Sequence, residues 1–305
     1  SGKIVFVFKG SSNYGIAIVG TVSGTSISFG STTNFLESTI SGDFIGLAYD
    51  STNNKVVLGY RSGNLGKSRV GTVSGTNISF GSEVTFNSSG GANGNQIVYD
   101  PNAQKFLFVY QDGGNGAKGT AIVGSVSGTN ISFGTAVVFN SANSNSFGIS
   151  YDANAQKVLI AYMDEGNSYY GTCIVATVSG TSVSFGSEVV FATVSSGLNQ
   201  IVYDASAKKH VIMYRYQVFQ NYEGFIIPAT ISGTSVSFET AVSFSSGSFG
   251  SGGLAYDPDE EKVVIAYSDV DNSSYGTAKV FTVASTNLTS ENFIGIASNG
   301  YATGQ

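Results

Sequence analysis

The chain has 305 residues, of which 41% are hydrophobic and 11% are charged, and it contains 40 glycines but no tryptophan. This composition favours many short strands and tight turns over helices, and it supplies enough apolar residues for a large core, which argues against disorder. The formal net charge of −6 argues against a nucleic-acid partner, since phosphates require a concentrated basic face. No apolar run approaches the ~18 residues of a membrane span, so we expect no membrane insertion.

A nine-residue motif, Val-Ser-Gly-Thr-Asn-Ile-Ser-Phe-Gly at residues 126–134, recurs along the whole chain. Close copies centre on Gly24, Gly75, Gly128, Gly180 and Gly233, and a degraded sixth copy lies near Ser285. Successive copies are about 52 residues apart, a period typical of propeller blades, solenoid coils or arrays. The length of the chain therefore predicts about six repeats.

Each repeat divides into four short segments, which are clearest in the second copy. Residues 44–50 are rich in small side chains, as expected for an inner strand where backbones crowd. Residues 55–60 are almost continuously apolar, which indicates a strand that is covered on both faces. A third strand is predicted at 68–74, and residues 77–80 alternate like a half-exposed outer strand. This gradient predicts a four-stranded antiparallel blade.

Two recurring turns are predicted to be structural. Ser-Gly-Thr joins the third and fourth strands, because glycine supplies the positive φ of a tight hairpin. A turn from Asp to Lys joins the first and second strands, as at 100–105, 152–157 and 257–262, and its Asp is expected to bond nearby backbone amides.

The two ends of the chain complement each other. Residues 293–297 repeat the first-strand pattern of residues 44–48, whereas residues 3–8 match the second-strand pattern and are followed by a third and fourth strand up to Phe29. We therefore predict an all-β fold, a single domain over residues 1–305. It is a six-bladed β-propeller of four-stranded antiparallel blades, and one C-terminal strand joins three N-terminal strands to close the ring.

Candidate binding residues lie in the loops between second and third strands, which vary between copies. Asp, Asn and Tyr recur there, and these side chains suit sugar binding because polar groups bond hydroxyls while a ring packs on the apolar sugar face. The alternative is that Asp and Asn cap their own turns while Tyr shields the rim. The predicted ligand-binding residues are Asn13, Tyr14, Asp112, Asn115, Asp164, Asn167, Tyr170, Tyr216, Phe219, Tyr222, Asp269, Asn272 and Tyr275.

Neither a metal nor a cofactor is predicted. The pairs Asp164 with Glu165 and Asp269 with Asp271 offer oxygen ligands for Ca²⁺, but such a site needs 6 to 8 ligands and no complete loop signature is present.

Catalysis is not predicted either. His210 takes a strand position that is Val in other copies, which indicates a tolerated strand residue. Cys173, the single cysteine, takes a position that is Ala elsewhere, where a small buried residue packs. These positions predict that the protein is not an enzyme.

The repeat resembles a family of tandem propeller repeats found in predicted tail-fibre and other surface proteins of marine bacteriophages and bacteria. The matching residues are Ile-Val-Tyr-Asp at 97–100, the strand at 157–162, residues 119–124 and the Ser-Gly-Thr motif. The resemblance implies a non-enzymatic, lectin-like recognition module on a virion or cell surface, within a larger polypeptide or assembly, that binds a glycan or another host-surface ligand. The alternatives are a structural spacer and a secreted glycan-active hydrolase.

Overall fold

The computed structural model describes residues 2–218, 221–245, 247–283 and 288–296. The fold is all-β. Besides strands, the described residues form three short 3₁₀ helices at Gly113–Asn115, Glu165–Asn167 and Val270–Asn272. This architecture is consistent with a propeller-like fold. The chain divides into two compact units: unit 1 comprises residues 1–145 with 178–184, and unit 2 comprises residues 146–177 with 185–305.

Unit 1 contains the first three groups of antiparallel strands. The first group is β1 (Lys3–Lys9), β2 (Gly15–Ser23), β3 (Ser26–Phe29) and β4 (Thr33–Leu36). The second is β5 (Ile40–Asp50), β6 (Lys55–Ser62), β7 (Leu65–Ser74), β8 (Asn77–Phe80) and β9 (Val84–Asn87). The third is β10 (Ala92–Asp100), β11 (Lys105–Asp112), β12 (Lys118–Ser127) and β13 (Asn130–Phe133).

The chain continues through β14 (Val137–Asp152), β15 (Lys157–Asp164), β16 (Tyr170–Ser179) and β17 (Ser182–Phe185). It then forms β18 (Val189–Asp204), β19 (Lys209–Val218), β20 (Asn221–Ser232), β21 (Ser235–Phe238) and β22 (Val242–Ser245). The last group is β23 (Phe249–Asp257), β24 (Lys262–Asp269), β25 (Tyr275–Val283) and β26 (Leu288–Ile296). Strands β14 and β18 are long because each pairs first with the preceding third strand and then with the following second strand.

The core of each unit lies on the second strands, as their apolar runs predict. In β6 every residue from Val56 to Tyr60 is buried, and β11 and β15 repeat this pattern. Aromatic rings of neighbouring strand groups meet there: Phe86 of β9 lies 5.2 Å from Phe108 and 5.3 Å from Tyr110 of β11, measured between ring centroids. Burial on both faces of these strands supplies the main apolar stabilisation of a chain without disulfides.

Both recurring turns have the predicted geometry. The glycines of the Ser-Gly-Thr turns have φ between +57° and +65°, and the flanking strands pair as hairpins; these are Gly24, Gly75, Gly128, Gly180 and Gly233. In the Asp-to-Lys turn, one carboxylate oxygen of Asp100 accepts the amides of Asn102 and Ala103, both at 2.9 Å. The two turns are therefore confirmed as structural.

The outer strand differs from the prediction because it is split into two short pieces. In the second group, β8 pairs with the end of β7, whereas β9 pairs with its start. A four-residue strand cannot cover a third strand of ten residues, so a second piece covers the remaining ladder groups. The third strand also begins earlier than predicted, at Leu65.

The predicted closing strand has a different partner. Residues 293–296 belong to β26, which pairs with β25 and forms the outer strand of the last group. This pairing covers the ladder groups of β25 that would otherwise form a free edge. Ala297 lies outside the described residues. Six blades and ring closure are therefore not confirmed.

Candidate functional site

The three 3₁₀ helices show how the predicted Asp and Asn residues are used. Asp112 Oδ1 accepts the Gly114 amide at 3.2 Å and the Asn87 side-chain amide at 3.0 Å. Asp164 accepts the Gly166 amide at 2.9 Å, whereas Asp269 makes no cap hydrogen bond with its own turn. Two of the three carboxylates therefore cap their own turns. The 3₁₀ helices themselves contain the predicted residues Asn115, Asn167 and Asn272.

The other predicted residues are spread over several loops. Asn13 has φ of +61° in the turn after β1, and the adjacent Tyr14 is partly exposed. Tyr170 and Tyr275 begin third strands, where they pair with Asp164 and Asp269. Two further predicted residues fall near the fifth repeat's loop, where Tyr216 packs on Phe225 and Phe219 lies outside the described residues.

Tyr222 lies in a cleft of unit 2 with a volume of about 400 Å³. The guanidinium carbon of Arg215 sits 4.5 Å from the centre of the Tyr222 ring, a cation–π contact. The exposed ring of Tyr169 lies at the same cleft. The remaining lining residues are Ser146, Met163, Ser195, Ser196 and Gly197.

The equivalent region of unit 1 is filled by a chain of hydrogen bonds. Arg61, which follows the strand-ending Tyr60 as Arg215 follows Tyr214, donates to Asn93 Oδ1 at 2.5 Å. Asn93 donates to Gln111 Oε1 at 2.9 Å, and Gln111 donates to Asn143 Oδ1 at 2.7 Å. These four side chains therefore satisfy one another.

The cleft exists because unit 2 lacks the side-chain amides that form this hydrogen-bonded network in unit 1. Gly197 pairs with Arg215 as Asn93 pairs with Gln111, so a position that carries an amide in unit 1 has no side chain in unit 2. Met163 and Ser195 likewise replace Gln111 and Asn143. Arg215 consequently faces open space, and it forms no ion pair with the residues that the structure describes.

Ser196 supplies a second unsatisfied group at the cleft. The residue is 1% exposed, and its hydroxyl has no hydrogen-bond partner within the described part of the chain. The equivalent hydroxyl of Ser144 in unit 1 donates to the carbonyl oxygen of Ala142 at 3.3 Å. A buried hydroxyl without a partner is unfavourable, so Ser196 lacks a stabilising contact that Ser144 has.

The cleft can bind an anion or a carbonyl oxygen, but its described residues include no general base. Arg215 is a permanent cation with several N–H donors, and the two tyrosine rings offer apolar faces. Carboxylates and imidazoles are absent from the described lining residues. Sequence reasoning did not select Arg215 as a site residue, although the exchange of Asn93 for Gly197 between repeats was available as a signal.

The two residues considered for catalysis in the sequence are buried elsewhere in unit 2. His210 is fully buried, its Nε2 lies 3.5 Å from Asp152 Oδ2, and burial lowers the pKa of the imidazole. Cys173 is also fully buried, and burial raises the pKa of its thiol. Neither residue lines the cleft.

Within the described ranges, no group of three or more His, Cys, Asp or Glu side chains is arranged to hold a metal ion. The same ranges include no helix with the length and apolarity needed to cross a bilayer.

Comparison with known proteins identifies the fold but no family. No family model matches the chain, and no curated protein is similar in sequence. A protein of Bacteroides fragilis, provisionally assigned as a 6-phosphogluconolactonase, is a similar solved structure, with a TM-score of 0.65 and 12% identity over 94% of this chain and 79% of its own. A Bacteroides uniformis protein with the same provisional assignment gives 0.63 and 8% over 95% and 82%. A functionally unknown protein of Desulfotomaculum acetoxidans gives 0.61 and 12% over 97% and 84%.

These similarities place the chain in the propeller-like class and correct the functional expectation. The prediction of a non-enzymatic, tail-fibre-like surface module is wrong, because the similar solved structures include proteins provisionally assigned as 6-phosphogluconolactonases. The prediction went wrong because strand and turn motifs specify the fold and say little about function.

Proposed function

We propose that the cleft binds a small anionic sugar lactone and promotes its hydrolysis. The observation that carries this proposal is the Arg215 guanidinium, which faces open space beside Tyr222 and forms no ion pair within the described residues. The provisional assignment of two neighbours as 6-phosphogluconolactonases supports the choice of substrate class. Because the sequence identity to these neighbours is low, the proposal rests on Arg215 and not on the similarity of fold.

Different cleft residues bind different parts of the substrate. Arg215 donates hydrogen bonds to the lactone carbonyl oxygen, because guanidinium N–H donors bind an oxygen that gains negative charge. The rings of Tyr169 and Tyr222 pack on the apolar face of the sugar.

The hydrolytic step requires no cofactor. A water oxygen adds to the carbonyl carbon, the ring C–O bond breaks, and the released ring oxygen takes up a proton while the added water loses one to solvent. Arg215 stabilises the negative charge that develops on the carbonyl oxygen. Because the described lining residues include no base, the rate gain rests on Arg215 and is on the order of 10² to 10³ over buffer.

Lactone hydrolysis tests the proposal. Glucono-δ-lactone and its 6-phosphate are supplied to the protein, and acid release is followed with a pH indicator against a buffer blank. We expect catalysis that Arg215→Ala abolishes and that Arg61→Ala leaves intact, since Arg61 holds the same repeat position but is bound to Asn93. Equal rates in buffer, wild type and Arg215→Ala would reject hydrolysis.

Binding is measured separately with the stable hydroxy acid 6-phosphogluconate by titration calorimetry. Binding that depends on Arg215 without lactone turnover would reduce the proposal to a sugar-acid site. Binding that is unchanged in Arg215→Ala would reject the cleft itself.

The count of six blades is also part of the proposal. Within the described residues, each of the six sequence repeats contributes a second and a third strand that pair, beginning with β1–β2 and ending with β24–β25. An experimental structure with five or seven blades would contradict this count.

A further inference from the structure

Met163 lies near the end of β15 and lines the cleft of unit 2. It follows the aromatic residue Tyr162, and the same position is polar in the other five copies of the repeat. The residues at that position are Lys9, Arg61, Gln111, Arg215 and Ser268. The repeat therefore does not require an apolar side chain there for packing, and the thioether of Met163 is a local feature of the cleft.

The chain contains two methionines, and they differ in their access to solvent. Met163 is partly exposed and borders a cleft of about 400 Å³. Met213 is fully buried in a cluster that includes Ile226, Phe249 and Tyr267. An oxidant dissolved in water can therefore reach Met163 in the folded protein, whereas Met213 is protected until the cluster opens.

The geometry of unit 1 shows where the side chain of Met163 is directed. The positions of Met163 and Arg215 on β15 and β19 correspond to those of Arg61 and Gln111 on β6 and β11. Arg61 donates to Asn93 Oδ1, and Asn93 donates to Gln111 Oε1 at 2.9 Å. The two positions thus converge on one side chain, that of Asn93.

In unit 2 the place of Asn93 is taken by Gly197, which pairs with Arg215 in the same register. A Cβ at Gly197 would lie 3.7 Å from Arg215 Nη2, so the guanidinium borders the space that the missing side chain leaves. Met163 lines the same cleft from the other side of this space. An oxygen atom added to the Met163 sulfur would therefore enter the space that faces Arg215.

We propose that Met163 is an oxidation site, at which a hydroperoxide converts the thioether into a sulfoxide whose oxygen accepts a hydrogen bond from Arg215. The O–O bond of the peroxide breaks and an S–O bond forms, so the sulfur loses two electrons while hydrogen peroxide is reduced to water. The charge-assisted hydrogen bond draws the guanidinium away from its contact with the Tyr222 ring. Oxidation thereby occupies the one cation that lines the described cleft.

Peptide mass spectrometry tests the selectivity of oxidation. The native protein is treated with dilute hydrogen peroxide, the reaction is stopped with methionine, and the same treatment is repeated in urea. We expect Met163 to gain one oxygen at least about tenfold faster than Met213 in the native protein, and both to react at similar rates in urea. Equal rates in the native protein, or no oxidation of Met163 under conditions that oxidise it in urea, would overturn the proposal.

The contact with Arg215 is tested with phenylglyoxal, a reagent that modifies accessible guanidinium groups, followed by peptide mapping. We expect peroxide treatment to slow the modification of Arg215 at least about threefold in wild type and to leave it unchanged in Met163→Leu, which conserves side-chain volume but carries no sulfur. Arg61, which is bonded to Asn93, serves as the internal reference.

Unchanged reactivity of Arg215 once Met163 is a sulfoxide would overturn the contact. Equal slowing in Met163→Leu would assign the effect to another residue and would overturn it as well. Neither measurement uses a lactone or a sugar acid, so this inference and the proposed function can fail separately.

Discussion

The first four motif copies end in glycine because the next copy along the chain packs against that position. A Cβ at this glycine would overlap the carbonyl oxygen of the threonine in the next Ser-Gly-Thr turn; the pairs are Gly30 with Thr76, Gly81 with Thr129, Gly134 with Thr181 and Gly186 with Thr234. None of these glycines has a positive φ, so the requirement is for space and not for backbone freedom. The fifth copy ends in Glu239, and no Ser-Gly-Thr follows it in the sequence.

Replacing Gly81 by Ala is expected to lower the free energy of unfolding by about 1–3 kcal/mol, the usual cost of overpacking, because backbone cannot move aside as a flexible side chain does. The control is Gly75→Asn, where φ is +59°, nothing lies within 4 Å, and Asn tolerates the left-handed region. Urea unfolding compares the two variants. Equal midpoints would contradict the role of the Thr129 contact.

Gly197→Asn is expected to close the cleft without unfolding the protein. A Cβ at Gly197 would lie 3.7 Å from Arg215 Nη2, an ordinary contact, and the new amide would restore the group that Asn93 supplies in unit 1. We expect 6-phosphogluconate binding to be lost while the unfolding free energy stays within about 0.5 kcal/mol of wild type. Retained binding in calorimetry would show that the ligand does not use this space.

Because His210 is buried, we expect the folded protein to lose stability in mild acid. Burial lowers the pKa of His210 from its ordinary 6.5, an effect that the nearby Asp152 carboxylate opposes, so the folded protein keeps the imidazole neutral. The unfolded chain takes up this proton below pH 6.5, and stability therefore falls as the pH drops below that value. In His210→Val, the residue found at this position in other copies, the decrease between pH 6.5 and 5 should be smaller. Melting temperatures with parallel pH profiles would refute this assignment.

At the scale of single elements, the capped 3₁₀ turns give a matched pair of variants. Asp164→Ala removes a carboxylate that accepts the Gly166 amide, and we expect a loss of about 1 kcal/mol in the unfolding free energy. Asp269→Ala, at the equivalent turn without a cap hydrogen bond, should cost less. Chemical denaturation measures both, and a larger cost for Asp269→Ala would contradict the difference in capping.

The elements that the sequence predicted well are those with a strong local cause. Continuous apolar runs predicted the second strands, and the glycine and Asp turns depend on residues close together in the chain. The split outer strand was missed because a four-residue piece such as β9 carries little periodic signal. The partner of residues 293–296 was also missed, since the same apolar pattern can pair with either of two edges.

The candidate site was harder to predict because it arises from missing side chains. Tyr222 was selected for its chemistry, but the cleft around it depends on Gly197, whose effect is visible only beside Asn93 in the other unit. A pattern of residue types identifies groups that can bind. It does not reveal where neighbouring side chains leave room for a ligand.

At the scale of the whole molecule, Cys173 reports on the integrity of unit 2. The thiol is fully buried in a cluster that includes Leu159, Val175 and Ile212, and burial raises its pKa. A thiol reagent is therefore expected to leave the native protein unlabelled and to react only as the strands around Cys173 unfold. Labelling and circular dichroism are followed together over a urea series. Labelling in the absence of urea would contradict the packing of this cluster.

The contact between each terminal glycine and the following threonine carbonyl has a consequence for how such a chain can grow. The last glycine of each motif leaves space for the threonine carbonyl of the next Ser-Gly-Thr turn. A tandem duplication within the first four copies would therefore reproduce a compatible contact between neighbouring repeats. Insertion of another Ser-Gly-Thr repeat after the fifth copy would instead meet Glu239, whose carboxylate binds Lys209 at 2.5 Å. We therefore expect growth of the array by simple duplication at that point to require a change of residue 239 first.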